Sequence, residues 1–213
     1  MSLPPELQVK ELVEKSSAIL ILVPENPSGD AFGAAAGIGA FLENIGKAVT
    51  IAGSHIAPVA ESFAFLDPPK DILPSISGVR EFILSFNTER NDIVSIRTER
   101  SAGEYRIFIT PEKGSIDPRD FSFVPAKFSF DLVITVGAPD KESLGKIFET
   151  NPDIFYEVPV IAIDHLAEND RFGQVNIIDI TASSTSETAT ALLEKIGEKH
   201  IDARVAGLLL AGI

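Results

Sequence analysis

The stretch AILILVPENPSGDAFGAAAGIGAFLENIGKAVTIA, residues 18–52, predicts the fold of the chain. It opens with a continuous apolar run, which is typical of a strand covered on both faces of a parallel sheet. Residues 31–44 then place apolar side chains on one helical face, and Gly46 supplies a C-terminal stop. The apolar residues 48–52 predict the next strand. Strand, helix and strand make a βαβ unit, whose crossover should be right-handed.

The same pattern returns in the second half of the chain. Ser184 and Glu187 have the spacing of a capping box, so we expect a helix to start at SSTSE and to end at Gly197. The other predicted elements are a first helix over 7–15, strands over 131–136 and 158–163, a helix begun by Asp140 and running to about residue 150, an edge strand over 175–180 and a helix over 202–213.

The middle of the chain has a different pattern. Residues 92–98 and 104–110 alternate with period two and are rich in Ile and Val, which predicts a β-hairpin with Gly103 in its turn. We expect this hairpin to belong to an insertion over about residues 80–127. The sequence therefore predicts one α/β domain: a doubly wound, mainly parallel sheet with helices on both faces and an inserted β-hairpin.

Composition narrows the class of protein. The 213 residues are 45% hydrophobic, which suits one well-buried domain. The insertion carries eight basic and eight acidic residues, so the rest of the chain holds the whole net charge of −13. Such a surface on average repels nucleic acid and anionic membranes. The chain contains no Cys and no leader-like N-terminus, which favours a cytoplasmic protein.

The loop PENPSGD, which follows the first predicted strand, has two interpretations. Backbone N–H groups at Ser28 and Gly29, with the dipole of the next helix, can cradle a phosphate. Alternatively Ser28 is only an N-cap and Asp30 a first-turn acid, while the following small residues allow close packing. The residues alone favour the second interpretation, because the loop lacks both a Walker Gly-Lys-Ser/Thr ending and the dinucleotide G-x-G-x-x-G order.

A second cluster, IDHLAENDRFG, follows the strand predicted at 158–163. Asp164 and His165 stand at the carboxyl end of that strand, where oxygen and imidazole ligands can converge on a divalent cation. A lone Asp-His pair can instead orient the ring or cap the loop. We interpret His55 and His200 as ordinary surface histidines.

These motifs lie in four blocks that resemble the DHH phosphoesterase superfamily, which includes RecJ-like nucleases, oligoribonucleases and family II pyrophosphatases. The blocks are ILILVPENPSGDAFGAAAGIGAFLENIGKAVTI, FDLVITVGAPDKESLG, VPVIAIDHLAENDRFGQVNIIDITASSTSETATALL and ARVAGLLLAGI. Their order and spacing are similar to those of the family's catalytic domain over nearly the whole chain, apart from the hairpin insertion. The third block is the most specific of the four.

The resemblance implies a site for two divalent cations, usually manganese, which generate a hydroxide and clamp the phosphorus centre. The first family motif is H-x-x-P-D-x-D. On this chain its His falls on Pro24 and its first Asp on Ser28, which leaves only Asp30. The Asp that bridges the two metals falls on Gly137.

The signature triplet reads Asp164, His165 and Leu166, so the second His, which in the family faces the substrate phosphate, is replaced. The family's last ligand would follow a Gly-Ile that resembles the final two residues here. We therefore also expect the family's smaller C-terminal domain to be absent. Together these departures predict a vestigial cleft that holds no metal pair, with Asp30 and His165 as weak candidates for a single ion.

Three functions remain open at this point. The first is a non-catalytic domain that binds a nucleotide, a phosphate or a protein partner. The second is an active metal-dependent phosphoesterase acting on short oligonucleotides or small nucleotides, with help from Asp117 or Asp120 of the insertion. The third is a structural or assembly module, including a homo-oligomer, that pairs through the edge of the hairpin. The hairpin arginines offer a small basic face for nucleic acid, but interleaved acids favour a charge-balanced surface; they are Arg97, Arg100 and Arg106.

Overall fold

Six parallel strands form the central sheet in the computed structural model, which describes residues 3–77, 80–89 and 91–213. The sheet strands are β1 (Ala18–Leu22), β2 (Ala48–Ala52), β3 (Ile72–Leu73), β8 (Leu132–Val136), β9 (Val160–Asp164) and β10 (Val175–Ile178). The strands between β3 and β8 lie outside this sheet; they are β4 (Arg80–Phe86), β5 (Ile93–Ser101), β6 (Glu104–Pro111) and β7 (Phe121–Phe128). The helices are α1 (Pro5–Lys15), α2 (Gly29–Asn44), α3 (Ala57–Ser62), α4 (Lys146–Thr150), α5 (Ile154–Glu157), α6 (Thr185–Gly197) and α7 (Ala203–Gly212).

The strand order is β10-β9-β8-β1-β2-β3, and every neighbouring pair is parallel. From β1 the chain moves outward to β2 on one side and later to β8 on the other. The order therefore reverses at β1, and the crevice at the carboxyl ends of β1 and β8 is where ligands bind in such sheets. The predicted doubly wound α/β fold is confirmed.

Helices cover both faces of this sheet. The strands β1, β8 and β9 are almost wholly buried, as their continuous apolar sequences predict. On one face they pack against α1, α2, α6 and α7, with Phe32 and Phe41 among the largest fully buried side chains. On the other face a smaller cluster is built around Leu144, Ile147 and Ile154, from the segment that contains α4 and α5.

Helices α2 and α7 make a close contact through glycine. A Cβ built on Gly33 would lie 2.7 Å from the Gly212 Cα, and one on Gly37 would lie 2.6 Å from the Leu209 side chain. These separations are shorter than van der Waals contact, so side chains at Gly33 and Gly37 would push the helices apart. The contact holds α7 against the first three turns of α2, next to the crevice.

The structure corrects several details of the predicted elements. The helix expected from Asp140 to about residue 150 is broken: residues 142–144 form a 3-10 turn, and α4 begins only after Gly145, whose φ is +58°. Strand β10 ends at Ile178, two residues early. His200 is half-buried and lies edge-to-face against Phe41, with ring centroids 6.1 Å apart, so it is not an ordinary surface histidine.

Residues Arg80–Lys127 form a separate compact unit. The antiparallel pair β5 and β6 is the predicted hairpin, with Gly103 at φ +86° in its turn. A second pair joins β4 to β7. On one face of the hairpin Arg97 pairs with Glu99 and Arg106 with Glu104, in agreement with the charge-balanced surface expected for this unit.

None of the helices within the described ranges combines the length and apolar character needed to cross a lipid bilayer.

Candidate functional site

Three loops meet at the carboxyl ends of the central strands. The loop after β1 carries Pro24 and Ser28 and leads into the first turn of α2, which carries Asp30. The residue after β8 is Gly137, and the end of β9 carries Asp164 and His165. Because β1, β8 and β9 are adjacent in the sheet, these loops lie side by side at the switch point. The amino end of α6 completes the cluster.

The Asp30 carboxylate caps α6. Its Oδ2 accepts a hydrogen bond from the Thr185 backbone N–H and its Oδ1 one from the Ser186 N–H, each at 2.8 Å. The first N–H groups of a helix have no acceptor within it, and the amino end carries partial positive charge. A carboxylate therefore fits this position well. Asp30 keeps 21% of its side-chain surface exposed, so one side of the carboxylate still faces solvent.

The start of α6 is fixed by further caps. The Ser184 Oγ accepts a hydrogen bond from the Glu187 N–H at 3.1 Å. Glu187 in turn accepts hydrogen bonds from the backbone N–H and the hydroxyl of Ser183 at 2.7 and 2.8 Å, and these bonds lower the pKa of its carboxyl group. The capping-box spacing thus predicted the helix start, although Glu187 bonds to Ser183 and not to Ser184.

Asp164 is enclosed by its own loop. Its Oδ1 accepts hydrogen bonds from the backbone N–H groups of His165 at 2.7 Å and Leu166 at 3.3 Å. Its Oδ2 accepts one from the Asn169 side-chain amide at 2.9 Å, and that amide also donates to the Ala138 carbonyl. Only 1% of the Asp164 side chain is exposed. This carboxylate therefore shapes the turn after β9, as the loop-capping interpretation of the sequence has it.

His165 lies between the two carboxylates. Its Nδ1 is 3.0 Å from the Thr185 Oγ1, 3.6 Å from the Asp164 Oδ1 and 3.9 Å from the Asp30 Oδ2. A quarter of the side chain is exposed, and its Nε2 has no hydrogen-bond partner within the described residues. His165 thus brings an imidazole to the crevice.

Gly137 adopts a backbone conformation that favours glycine. Its φ is +64°, and a Cβ there would lie 2.9 Å from the Ala31 Cβ and 3.6 Å from the Thr185 Oγ1. The Gly137 N–H donates to the Ile163 carbonyl at 2.9 Å, which ties this turn to β9. Helix α2 therefore packs against the position that a side chain of residue 137 would need.

The remaining predicted residues offer less chemistry. Ser28 is the N-cap of α2, because its Oγ accepts a hydrogen bond from the Ala31 N–H at 3.1 Å. Gly29 is exposed, with open space where a side chain would lie except for Phe63 at 4.0 Å. Pro24 and Leu166 carry no side-chain donor or acceptor.

Sequence reasoning missed Thr185, Ser186 and Asn169 as parts of this cluster. Thr185 and Ser186 were predicted only as residues of a helix start. They lie 155 and 156 positions from Asp30 in the sequence, so no local pattern connects them with it. The signal for Asn169 is its place in the turn directly after the Asp-His pair, where an amide can bond back to Asp164.

Comparison with known proteins identifies the family. A family model described as "DHH family, N-terminal domain" matches residues 18–213. The chain belongs to the DHH family. The resemblance found in the four sequence blocks is therefore confirmed.

A solved structure of an exopolyphosphatase-related protein from Bacteroides fragilis has the same fold. It matches with a TM-score of 0.62 at 16% identity, over 97% of this chain and 48% of that one. This DHH-family chain therefore spans about half the length of that protein. At this identity the likeness shows the fold alone.

The DHH-family resemblance implied seven positions around the metal pair, and three of them carry an ionisable side chain here: Asp30, Asp164 and His165. Within residues 3–77, 80–89 and 91–213, no group of three or more His, Cys, Asp or Glu side chains converges as a metal site. The three that remain are instead joined through Thr185.

Proposed function

We propose that this DHH-family domain binds a phosphate-bearing ligand and does not hydrolyse it by two-metal chemistry. The observation that carries the proposal is the position of Asp30. Both of its carboxylate oxygens accept backbone hydrogen bonds from the amino end of α6, at 2.8 Å each. Two N–H groups thus occupy one acceptor site on each oxygen, and the positive end of the helix dipole already offsets the negative charge, which leaves the carboxylate less available to a hard cation.

The position of Gly137 supports the same proposal. Two divalent cations held close together repel each other strongly, and a carboxylate between them offsets that repulsion. Gly137 supplies none, and its positive φ and the Ala31 side chain 2.9 Å from its Cβ position leave no room for one. Restoring an Asp at residue 137 would therefore require α2 to move.

The donors that remain do not fit a metal pair. Asp164 is almost wholly enclosed, and its oxygens already accept hydrogen bonds from three groups. His165 then offers Nε2, and Asp30 a partly exposed carboxylate. Hard divalent cations take six or more oxygen ligands, many of them anionic. The donor set is thus compatible with at most a single weakly held ion.

The amino end of α2 is the part of the crevice that we propose to hold phosphate. Helix α2 is 16 residues long, and the N–H groups of Gly29 and Asp30 donate no hydrogen bond within the described part of the chain. Such a helix end attracts anions through free N–H groups and its dipole. Two comparisons support a phosphate ligand. The chain belongs to the DHH family, which the sequence resemblance associates with phosphoesterases, and a protein of the same fold is described as exopolyphosphatase-related.

Two variants at one position test this binding. Gly29→Pro removes one N–H from the first position of α2, where Pro is well tolerated, and Ser28 before it is already extended. Gly29→Ala keeps the N–H and serves as the control. We expect calorimetric titration with pyrophosphate or a ribonucleoside monophosphate to show binding about 3- to 10-fold weaker in Gly29→Pro alone. Equal affinities in both variants and the native chain would rule out this helix end.

Hydrolysis is tested separately. Pyrophosphate, cyclic dinucleotides and short oligonucleotides are incubated with the native chain and manganese, and with the Asp30→Ala and His165→Ala variants. We expect no turnover, or a trace rate that is identical in all three proteins and therefore comes from a contaminant. A native rate that both variants abolish would instead make the chain an active phosphoesterase.

A further inference from the structure

Thr185 connects three ionisable side chains of the crevice, Asp30, Asp164 and His165. Its backbone N–H donates to Asp30, and its Oγ1 lies 3.0 Å from the His165 Nδ1 and 3.5 Å from the Asp164 Oδ1. The residue is 1% exposed, so its hydroxyl has no access to bulk water. A buried hydroxyl needs an acceptor for its proton, and only two candidates lie within reach among the described residues.

The surrounding charges decide between those two acceptors. If the hydroxyl donated to the His165 Nδ1, that nitrogen would present a lone pair to two carboxylate oxygens, at 3.6 Å and 3.9 Å. If the hydroxyl donates to the Asp164 Oδ1, the His165 Nδ1 carries the proton and donates to the Thr185 Oγ1. The second arrangement places every proton between a donor and an acceptor, although the Thr185 to Asp164 separation is long for a hydroxyl.

We infer that Thr185 is a positioning residue that holds neutral His165 as the Nδ1–H tautomer, so that Nε2 faces the crevice as a hydrogen-bond acceptor. The ring is fixed at one nitrogen by the Oγ1 and stays quarter-exposed at its other end. Which ring nitrogen carries the proton is set by the hydrogen bond that the other nitrogen makes.

The tautomer restricts what the ligand can place against His165. An acceptor lone pair repels a fully ionised phosphate oxygen and binds an O–H or N–H group. On the basis of the proposed function, the ligand is then a phosphate monoester that also carries a hydroxyl, with its phosphate at the amino end of α2 and its hydroxyl at the His165 Nε2.

Long-range ¹H–¹⁵N correlation spectra of the imidazoles test the tautomer directly, without any ligand. The chain has three histidines, and the His165 signals are those that disappear in a His165→Gln variant. Spectra at pH 8.5, well above the ordinary pKa of imidazole, should show protonated Nδ1 and unprotonated Nε2. Protonation at Nε2, or a mixture of the two tautomers, would overturn the inference.

Three variants test the positioning role. Thr185→Val removes the Oγ1 at nearly constant volume and leaves the His165 Nδ1 facing carboxylate oxygens at 3.6 and 3.9 Å, which are too far to accept its proton, so the ring should shift toward the Nε2–H tautomer. Thr185→Ser should keep the native pattern. Thr188→Val is the matched control, because Thr188 is also buried in α6 but its Oγ1 donates to the Ser184 carbonyl. An unchanged His165 tautomer in folded Thr185→Val would assign Thr185 a purely structural role and overturn the inference.

A pair of nucleotides tests whether His165 favours a ligand that carries a hydroxyl group. A ribonucleoside 5′-monophosphate should bind the native chain about 3- to 10-fold more tightly than its 2′,3′-dideoxy analogue, and Thr185→Val should lose that preference. Equal binding of both nucleotides would overturn the assignment of a hydroxyl to His165. Failure of both to bind would contradict the proposed function, while the tautomer would still be decided by the spectra.

Discussion

At the residue scale, the Asp30 carboxylate fixes one side of the crevice by capping α6. Asp30 belongs to α2, but its acceptors serve the first two N–H groups of α6. Ser186 also donates from its hydroxyl to the Asp30 carbonyl at 3.2 Å, so Asp30 accepts a third hydrogen bond from the start of α6. The same side chain that the family resemblance marks as a metal ligand is therefore a structural element of this chain.

Replacing Asp30 should destabilise the fold even in the absence of any ligand. Asp30→Ala leaves the Thr185 and Ser186 N–H groups without their acceptor, and loss of a helix-capping side chain costs about 0.5–2 kcal/mol. We expect the free energy of unfolding in urea to fall by about 2 kcal/mol. Asp71→Ala is the control, because Asp71 is exposed and makes no side-chain hydrogen bond within the described residues. Equal stability of the two variants would contradict the capping role.

Gly137 gives a second residue-scale prediction. Gly137→Ala adds both the strain of a positive φ and a contact at 2.9 Å, whereas Gly46→Ala, at φ +80° with open space around it, adds the strain alone. The strain costs about 1 kcal/mol in each variant, and crowding adds a further 1–3 kcal/mol at Gly137. Urea unfolding of both variants checks the difference. Equal losses would mean that Ala31 moves away freely.

At the element scale, α7 starts at a carboxylate that also ties it to α2. The Asp202 Oδ1 accepts a hydrogen bond from the Val205 N–H at 2.9 Å, and its Oδ2 accepts one from the Asn44 side-chain amide at 3.1 Å. These bonds, the Val205 one above all, lower the pKa of the Asp202 carboxyl group. The ionised form is thus the one that the folded state prefers.

Because its pKa is lowered in the folded protein, Asp202 makes a contribution to stability that depends on pH. A lowered folded pKa contributes stability above the unfolded pKa, near 4, and loses it as the pH falls through the folded value. Native protein should therefore exceed Asp202→Ala in unfolding free energy by about 1 kcal/mol at pH 7, and by less at pH 3. Urea titrations of both proteins at the two pH values measure this. A gap that widens at pH 3 would contradict the assignment.

The elements differ in how far the sequence predicts them. β1, α2 and β2 follow from local apolar patterns, and each was predicted to within two residues. β3 was missed because Ile72–Leu73 is too short to form a pattern, and α4 begins late because Gly145 interrupts the helix. The partners of Asp30 and His165 in α6 could not be predicted, since hydrogen bonds across 155 and 20 positions depend on packing and not on local sequence.

At the scale of the whole molecule, the two compact units differ in net charge. The unit Arg80–Lys127 has balanced charge, while the unit made of the flanking segments holds the net charge of −13 and the crevice. Each unit has its own internal contacts. The chemistry proposed here therefore uses only the α/β unit.

Removal of the inserted unit tests that independence. A variant in which a short Gly/Ser linker replaces residues 80–127 should keep a cooperative thermal transition and the native His165 imidazole signals, because no residue of the crevice lies in the insertion. Circular dichroism and the same imidazole spectra check it. Loss of the cooperative transition, or changed His165 signals, would show that the insertion supports the crevice.

We propose that the crevice of this DHH-family chain holds no pair of metal ions, since Gly137 stands where the resemblance implies the bridging Asp and Asp30 caps α6. Isothermal titration of the native chain with manganese, after dialysis against a chelator, tests it most directly. We predict no binding, or a single weak site that is lost in His165→Ala. Tight binding of two manganese ions per chain would contradict the account.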